Sequence, residues 1–181
     1  MCIRDRAISE ISGQEIPEVN DTQIDLPINA FIPATWILNR EEKLEAYKSA
    51  TECSNNDELT ELATDWVNRY GNLPKPVESL IMLMRIKLLS KRCGFNKIKL
   101  KKPNILIETK LKKSTFKILK NSLASSVQNK FNFHEGEQLS IITIRGLGAT
   151  EIQNQIDQLM LWFGSFEKEI NDFDKEIIKR K

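Results

Sequence analysis

The segment from Leu59 to Val77 constrains the fold of this chain more than any other stretch. Apolar residues first recur at helical spacing and form one stripe, which consists of Leu59, Leu62, Ala63, Trp66, Val67 and Tyr70. Gly71 follows where a helix needs a C-terminal residue in the left-handed conformation, which has positive φ and which glycine adopts at little cost. Pro74 and Pro76 then suit the first turn of a second helix, because the N–H that proline lacks has no helical partner there. The segment therefore predicts two helices joined by a tight turn.

The motifs around this helical hairpin follow each other in an order that resembles one known family. In chain order they are Ile32-Pro33, Arg40, Tyr47, Asp57-Glu58-Leu59, the hairpin residues Arg69, Tyr70, Gly71, Leu73, Pro74 and Pro76, and finally Gly94 with Lys97-Ile98. This series resembles the C-terminal domain of bacterial transcription-repair coupling factors, which are ATP-driven DNA translocases. The resemblance runs from about Gln14 to about Ile170. It departs from the family at Asn68, where an acidic residue usually precedes the Arg-aromatic-Gly motif.

The resemblance also implies how the chain is organised. Residues 1–30 would be an artefactual start followed by a linker from a missing motor domain. Residues 31–175 would form the C-terminal domain of the coupling factor, and residues 176–181 a basic tail. The resemblance implies no cofactor for this domain, because ATP and Mg²⁺ would be bound by the motor domains of the parent protein.

The function that the resemblance implies is regulatory, in transcription-coupled nucleotide excision repair. In the family, this domain docks onto the N-terminal domain that recruits the damage-recognition protein UvrA. Docking restrains UvrA recruitment and motor activity until RNA polymerase is engaged. The implied partners are therefore that N-terminal domain, indirectly UvrA and RNA polymerase, and DNA through the parent protein, in the cytoplasm and without a membrane.

Basic residues are concentrated in the middle of the chain, although the net charge is only +2. Between Arg85 and Lys130, Glu108 is the only acidic residue. The candidate interaction surface comprises Lys97, Lys99, Lys101, Lys110, Lys112 and Lys113. The first three alternate with apolar residues, a pattern that favours a solvated strand face over a binding surface. A contact with protein is the second interpretation. The third is a nucleic-acid-binding module that uses the surface from Lys97 to Lys120.

No recognisable catalytic motif is present in the sequence, so we expect no enzymatic activity from this part of the protein and assign no catalytic, cofactor-binding or metal-binding residue. The P-loop pattern is missing, and the turn from Gly146 to Thr150 lacks its lysine. We interpret that turn as a connection in which Thr150 caps the following helix. His134 is the only histidine, and Cys2, Cys53 and Cys93 are too far apart for a metal-binding pair. The apolar segments are too short to span a bilayer.

The coarse pattern of elements predicts an α+β domain with N-terminal helical hairpins, a small antiparallel or mixed sheet and a closing C-terminal helix. We expect helices over residues 40–52, with Leu44 and Tyr47 on one side, 56–70, 75–92 and 113–124. Strands are predicted around residues 24–28, at 98–107 as a hairpin, at 131–133 and at 139–144. The last helix begins near Thr150, and its apolar stripe is Ile152, Ile156, Leu159, Met160, Phe163, Phe166 and Ile170.

Overall fold

The computed structural model describes residues 16–180, and within them the chain forms six α-helices and five β-strands. The helices are α1 (Arg40–Glu52), α2 (Asn56–Tyr70), α3 (Lys75–Arg92), α4 (Lys113–Asn121), α5 (Ser125–Gln128) and α6 (Ile152–Lys179). The strands are β1 (Gln23–Asp25), β2 (Phe95–Lys101), β3 (Asn104–Thr109), β4 (Phe131–His134) and β5 (Ser140–Ile144). The predicted α+β fold is confirmed. The predicted artefactual start and the first part of the predicted linker fall on residues 1–15, outside the described residues.

The described residues divide into two compact units. One unit consists of residues 27–88, and the other consists of residues 16–26 together with residues 89–180. The second unit is therefore discontinuous in sequence, because β1 precedes the helical unit and every other strand follows it. The predicted domain boundaries at residues 30 and 175 stay a prediction.

Polar side chains begin the first two helices of the helical unit. Asn39 caps α1, and its Oδ1 accepts hydrogen bonds from the backbone N–H groups of Glu41 (2.8 Å) and Glu42 (3.1 Å). Asn55 caps α2 through the N–H of Glu58 (2.9 Å). The Glu58 carboxylate in turn accepts the backbone N–H of Ser54 (2.7 Å), which resembles a capping box except that the bond reaches the residue before the cap. Both helices begin where the sequence predicted them, at residues 40 and 56.

The core of the helical unit lies between its three helices and the segment that precedes α1. Trp66 is 1% exposed, and its ring meets the Trp36 ring edge to face at 6.2 Å between centroids. The N–H of Ile32 donates to the Tyr47 hydroxyl at 2.7 Å, which fixes the incoming chain against α1. The buried residues of this core are Ile32, Ile37, Ala46, Ala50, Leu59, Trp66, Val77, Leu80 and Ile81.

The second unit is built on a mixed five-stranded sheet in the order β1-β2-β3-β5-β4. β1 pairs parallel to β2, and all other neighbours are antiparallel. The Thr22 hydroxyl donates to the Phe95 carbonyl at 2.8 Å and ties the start of β1 to β2. The predicted strand that contains Ile24 lies at an edge of the sheet, and it ends before Pro27, which could not donate to a ladder.

The inner face of the sheet packs against α4 and α6 through aromatic side chains. Phe95 meets Phe163 at 5.0 Å between ring centroids, Phe116 meets Phe166 at 6.1 Å, and Phe131 meets Trp162 at 5.4 Å. Such edge-to-face pairs contribute about 0.5–1.5 kcal/mol each beyond the burial of their area. Thr109, fully buried, donates to the Gly94 carbonyl at 2.7 Å and accepts the Leu111 N–H at 3.1 Å, so its hydroxyl satisfies two backbone groups.

Three local expectations were wrong. Leu44 is 60% exposed, and α1 instead buries Ala46 and Ala50. Helix α4 ends at Asn121, because the N–H and the hydroxyl of Ser122 both bond to the Leu119 carbonyl and close the last turn early. Thr150 does not cap α6, since its hydroxyl donates back to the Leu147 carbonyl at 2.8 Å and the N-cap position is Glu151.

Candidate interaction surfaces

The hairpin motif between α2 and α3 is held by a glycine in a conformation that other residues avoid. Gly71 has φ +85° and ψ −167°, and its N–H donates to the Val67 carbonyl at 2.9 Å. The positive φ is confirmed, but ψ places the residue in a region that is essentially restricted to glycine, outside the left-handed helical region. Pro74 then begins the turn of α3 by accepting the N–H groups of Val77 (2.9 Å) and Glu78 (3.0 Å) through its carbonyl.

The remaining motif residues divide between core and surface. Tyr70 and Leu73 are half-buried and pack against the core of the helical unit. The Pro76 carbonyl accepts the N–H of Phe31 at 3.3 Å, which joins α3 to the segment before α1. The side chain of Arg69 stays exposed and forms an ion pair with Asp65 at 3.5 Å. The motif therefore has a mainly structural role, with Arg69 left at the surface.

Tyr70 lies where the motif meets the first helix. Its ring is 5.4 Å from the Trp36 ring, and its hydroxyl donates to the Glu42 carboxylate at 3.3 Å. The Arg69 guanidinium lies over the same ring, 5.0 Å from its centroid. Desolvation raises the pKa of the Tyr70 phenol, Arg69 opposes that rise and Glu42 adds to it. The neutral phenol is therefore the form that this environment favours.

Three lysines of the candidate surface lie on the outer sheet face, the face opposite the aromatic core. They are Lys97, Lys99 and Lys101, which alternate along β2. Lys99 donates to Glu108 of β3 at 2.8 Å, and Asp25 of β1 lies beside Lys99 in the register of the parallel strands. Three cations thus share this face with two carboxylates, which leaves little excess positive charge on it.

The other lysines of the candidate surface lie elsewhere. Lys110 is exposed in the connection after β3, and Lys112 and Lys113 are exposed at the start of α4. Helix α4 packs on the inner face, where Phe116 stacks on Phe133 at 5.6 Å between ring centroids. Lys112 and Lys113 therefore lie on the side of the sheet where α4 packs, whereas Lys97, Lys99 and Lys101 lie on the outer face.

The helical unit also carries large apolar side chains at its surface. Leu38 is 86% exposed directly before the cap of α1, and Leu44 is 60% exposed within that helix. Phe31 and Val67 are exposed to about 40%. We call these four the apolar surface residues of the helical unit. Isolated exposed leucines are common, but a leucine that contacts almost nothing gains no stability from its position.

Groups with catalytic or metal-binding chemistry are sparse in the described part of the chain. Between residues 16 and 180, no three His, Cys, Asp or Glu side chains are grouped so that they could hold a metal ion. Cys53 and Cys93 are free thiols, and burial raises the pKa of Cys93, which disfavours its reactive thiolate. None of the helices described has the length and hydropathy needed to cross a bilayer.

Local packing explains the glycines of the turn between β5 and α6. Gly146 has φ +76°, and its N–H donates to Asn104 Oδ1 at 3.1 Å. A Cβ on Gly148 would come within 2.5 Å of the Asn104 carbonyl oxygen. The positive φ therefore accounts for Gly146 and the close approach of Asn104 accounts for Gly148, and a phosphate-binding backbone is not needed to explain either glycine.

Comparison with known families settles the relationship of this chain. The family model for the TRCF domain matches residues 26–118, which is slightly more than half of the chain. The chain belongs to the TRCF domain family. The matched region begins after β1 and includes the helical unit, the β2–β3 hairpin and the first turns of α4. The resemblance inferred from the hairpin motif is confirmed.

Several curated relatives are named transcription-repair-coupling factors. That of Bacillus subtilis is 32% identical over 87 residues, which cover 48% of this chain and 7% of the relative. That of Mycobacterium tuberculosis is 30% identical over 98 residues (52% and 8%). That of Staphylococcus haemolyticus is 27% identical over 97 residues (52% and 8%). The matched region thus spans less than a tenth of the length of these relatives.

A solved structure shares the fold over most of the chain. The crystal structure of a C-terminal domain of transcription-repair coupling factor aligns with a TM-score of 0.65 and 19% sequence identity. The alignment covers 82% of this chain and 93% of the other. The likeness extends beyond the region matched by the family model, and at this identity it concerns the fold alone.

Proposed function

We propose that this chain acts as a regulatory and interaction domain of an ATP-dependent DNA translocase in transcription-coupled nucleotide excision repair. In this proposal it docks onto the N-terminal domain of its parent protein and restrains UvrA recruitment and motor activity. RNA polymerase engagement would release the docked state. The observation that carries the proposal is the TRCF family match over residues 26–118.

The proposal assigns no chemistry to the domain itself. ATP and Mg²⁺ would be bound by the motor domains of the parent protein, which would also contact DNA in the cytoplasm. A domain without a reaction of its own influences a motor only by binding its conformational states with different affinities. Ligands that prefer the open state would then compete with docking, because the coupling between two binding events is reciprocal.

The apolar surface residues of the helical unit support a choice of docking face. Leu38 and Leu44 together offer the most exposed apolar side chains of that unit, at 86% and 60%. Removing such side chains from water on docking would favour the closed state by about 25 cal/mol for each Å² buried. We therefore assign the docking contact to the surface around the start of α1.

Deletion in the intact parent protein tests the regulatory role. Removing residues 31–175 should raise the ATPase rate and the affinity for UvrA, because the docked state would no longer form. Adding the 181-residue chain in trans should restore part of the inhibition, although less than the tethered domain gives, since tethering supplies a high effective concentration. Equal ATPase rates and equal UvrA affinities in the intact and truncated proteins would refute the role.

Point variants test the docking face separately. Leu38→Ser with Leu44→Ser in the parent protein should reproduce the effect of the deletion. The matched control is Leu161→Ser with Ile178→Ser, two leucine-sized side chains of α6 that are 62% and 69% exposed. Lys97→Glu with Lys101→Glu tests the outer sheet face, and Lys99 is spared because its carboxylate replacement would face Glu108. If only the α6 pair or only the lysine pair raised the ATPase rate, the docking face would lie on α6 or on the outer sheet face instead.

A further inference from the structure

A basic groove lies in the unit that contains the sheet, and none of its lining residues belongs to the candidate interaction surface. Its volume is about 420 Å³, and it runs between the residue before β4, the end of β5 and the first three turns of α6. Its walls include Lys130, Arg145, Gly146, Asn154, Gln158 and Trp162. Three of these side chains, at positions 154, 158 and 162, follow each other at one face of α6, because they are four residues apart.

The two cations of this groove have no acidic partner. None of its lining residues is acidic, and within residues 16–180 neither Lys130 nor Arg145 has a carboxylate within 4 Å. Lys130 Nζ instead lies 6.0 Å from the centre of the Trp162 ring, a cation–π contact. This contrasts with Lys99 on the outer sheet face, which is paired with Glu108. The groove therefore retains positive charge that the protein does not neutralise.

Arg145 is also held in place before any ligand arrives. Its guanidinium donates through Nη2 to the Asn129 carbonyl, and its backbone N–H donates to the Lys130 carbonyl at 2.8 Å. A guanidinium carries five N–H donors, so one bond to a carbonyl leaves most of them unused. An anchored arginine loses little side-chain entropy on binding an anion, which makes it an effective anion-binding group.

We propose that this groove binds the phosphate group of a nucleotide, with Lys130 and Arg145 as its anion-binding residues. A tetrahedral dianion matches one forked guanidinium and one point-like ammonium better than a carboxylate does, because it offers three oxygens to two cations. The amides of Asn154 and Gln158 supply donors and acceptors for the sugar or base. The volume suits a ligand of nucleotide size. The proposal is independent of interdomain docking.

Titration of the isotope-labelled 181-residue chain with AMP tests the site by nuclear magnetic resonance. We expect the indole N–H of Trp162 and the amides of Gly146 and Asn154 to shift, while the indole N–H groups of Trp36 and Trp66 stay in place. A fluorescent single-stranded oligonucleotide, followed by anisotropy, distinguishes the source of the phosphate. Chemical-shift changes on addition of AMP would identify a free nucleotide as the ligand. Binding of the oligonucleotide, with no shift changes on addition of AMP, would identify the nucleic-acid backbone as the ligand. Either result supports the site.

Paired variants of equal charge change decide whether the groove is responsible. Lys130→Gln with Arg145→Gln should weaken the binding of the responding probe by about tenfold or more, since two charge-assisted contacts are lost. Lys97→Gln with Lys101→Gln removes the same charge from the outer sheet face and should change it by about twofold at physiological salt. If thermal unfolding shows that the first pair is misfolded, Lys130→Gln alone replaces it.

Three results would overturn the proposal. One is the absence of any response to AMP, inorganic phosphate or the oligonucleotide at the groove residues. Another is an equal loss of binding in the two double variants, which would show that binding depends on the net charge of the protein and not on the groove. The third is equal or tighter binding of a poly-glutamate peptide at the same residues, which would assign the groove to acidic protein segments.

Discussion

At the scale of single residues, Gly71 decides whether α2 can turn into α3. Replacing it with alanine should destabilise the protein by roughly 1–3 kcal/mol, because φ +85° with ψ −167° is a region that residues with a Cβ avoid. A Cβ at this position would meet nothing within 4 Å, so the cost arises from the backbone alone. Urea denaturation followed by circular dichroism measures the change in unfolding free energy.

Gly164 provides the matched control for this substitution. It lies within α6, and a Cβ there would also meet nothing within 4 Å. Gly164→Ala should therefore stabilise the protein by up to about 1 kcal/mol through helix propensity. If both substitutions shifted the unfolding free energy in the same direction, the backbone argument at Gly71 would be wrong.

At the scale of elements, the start of α2 depends on an ionised carboxylate. Hydrogen bonds from the backbone N–H and hydroxyl of Ser54, with a smaller one from Asn55, hold the pKa of Glu58 below its usual value near 4.5, although desolvation opposes them. Because the folded pKa is the lower one, this stabilisation is present above the unfolded pKa and is lost as the pH falls through the folded pKa. Glu58→Gln should therefore lower the melting temperature at neutral pH and not in strong acid.

Melting curves across the acid range measure this pH dependence. Glu61→Gln is the control, because Glu61 is exposed on the same helix and does not cap it. A melting-temperature difference between Glu58→Gln and the unsubstituted chain that stayed constant with pH would show that the charge of Glu58 does not matter.

Helix boundaries could be predicted from the sequence because their causes are local. Asn39, Asn55 and Gly71 act within four residues of themselves, so cap and turn chemistry is visible in the chain. Leu44 misled the prediction because α1 packs through two alanines, and a helix that buries such small side chains shows little amphipathic contrast. Trp162 was missed because β4 and Lys130, far from it in sequence, cover its ring.

The candidate surfaces were less predictable, since they depend on which side of the sheet each element packs. The alternation of Lys97, Lys99 and Lys101 indicated one strand face, and that is where they lie. No feature of the nearby sequence indicated that α4 would place Lys112 and Lys113 on the side of the sheet opposite the β2 lysines. The basic groove was missed for the same reason, although Arg145 directly before a Gly-x-Gly turn was a signal that could have been followed.

At the scale of the whole molecule, the division of the lysines predicts how the chain binds duplex DNA. Lys97→Gln with Lys101→Gln and Lys112→Gln with Lys113→Gln should each weaken binding only in part, because the two pairs lie on different sides of the sheet. Binding should also fall steeply between low and physiological salt, as expected for exposed charges. Anisotropy of a labelled duplex measures both effects. The opposite result would be that one double variant abolishes binding while the unsubstituted chain binds the duplex tightly at physiological salt. That result would indicate a single DNA-binding surface.

The three residues of β1 have a consequence for where this chain can be shortened. They lie before residue 26, where the match to the TRCF family begins, and yet they occupy one side of β2. A polypeptide trimmed to residue 31 would keep every family motif and lose this cover. The unpaired N–H and C=O groups of β2 would then face other copies, and open ladders of this kind recruit strands from neighbouring molecules. Strand β1 thus protects the edge of β2 from pairing with other copies of the chain.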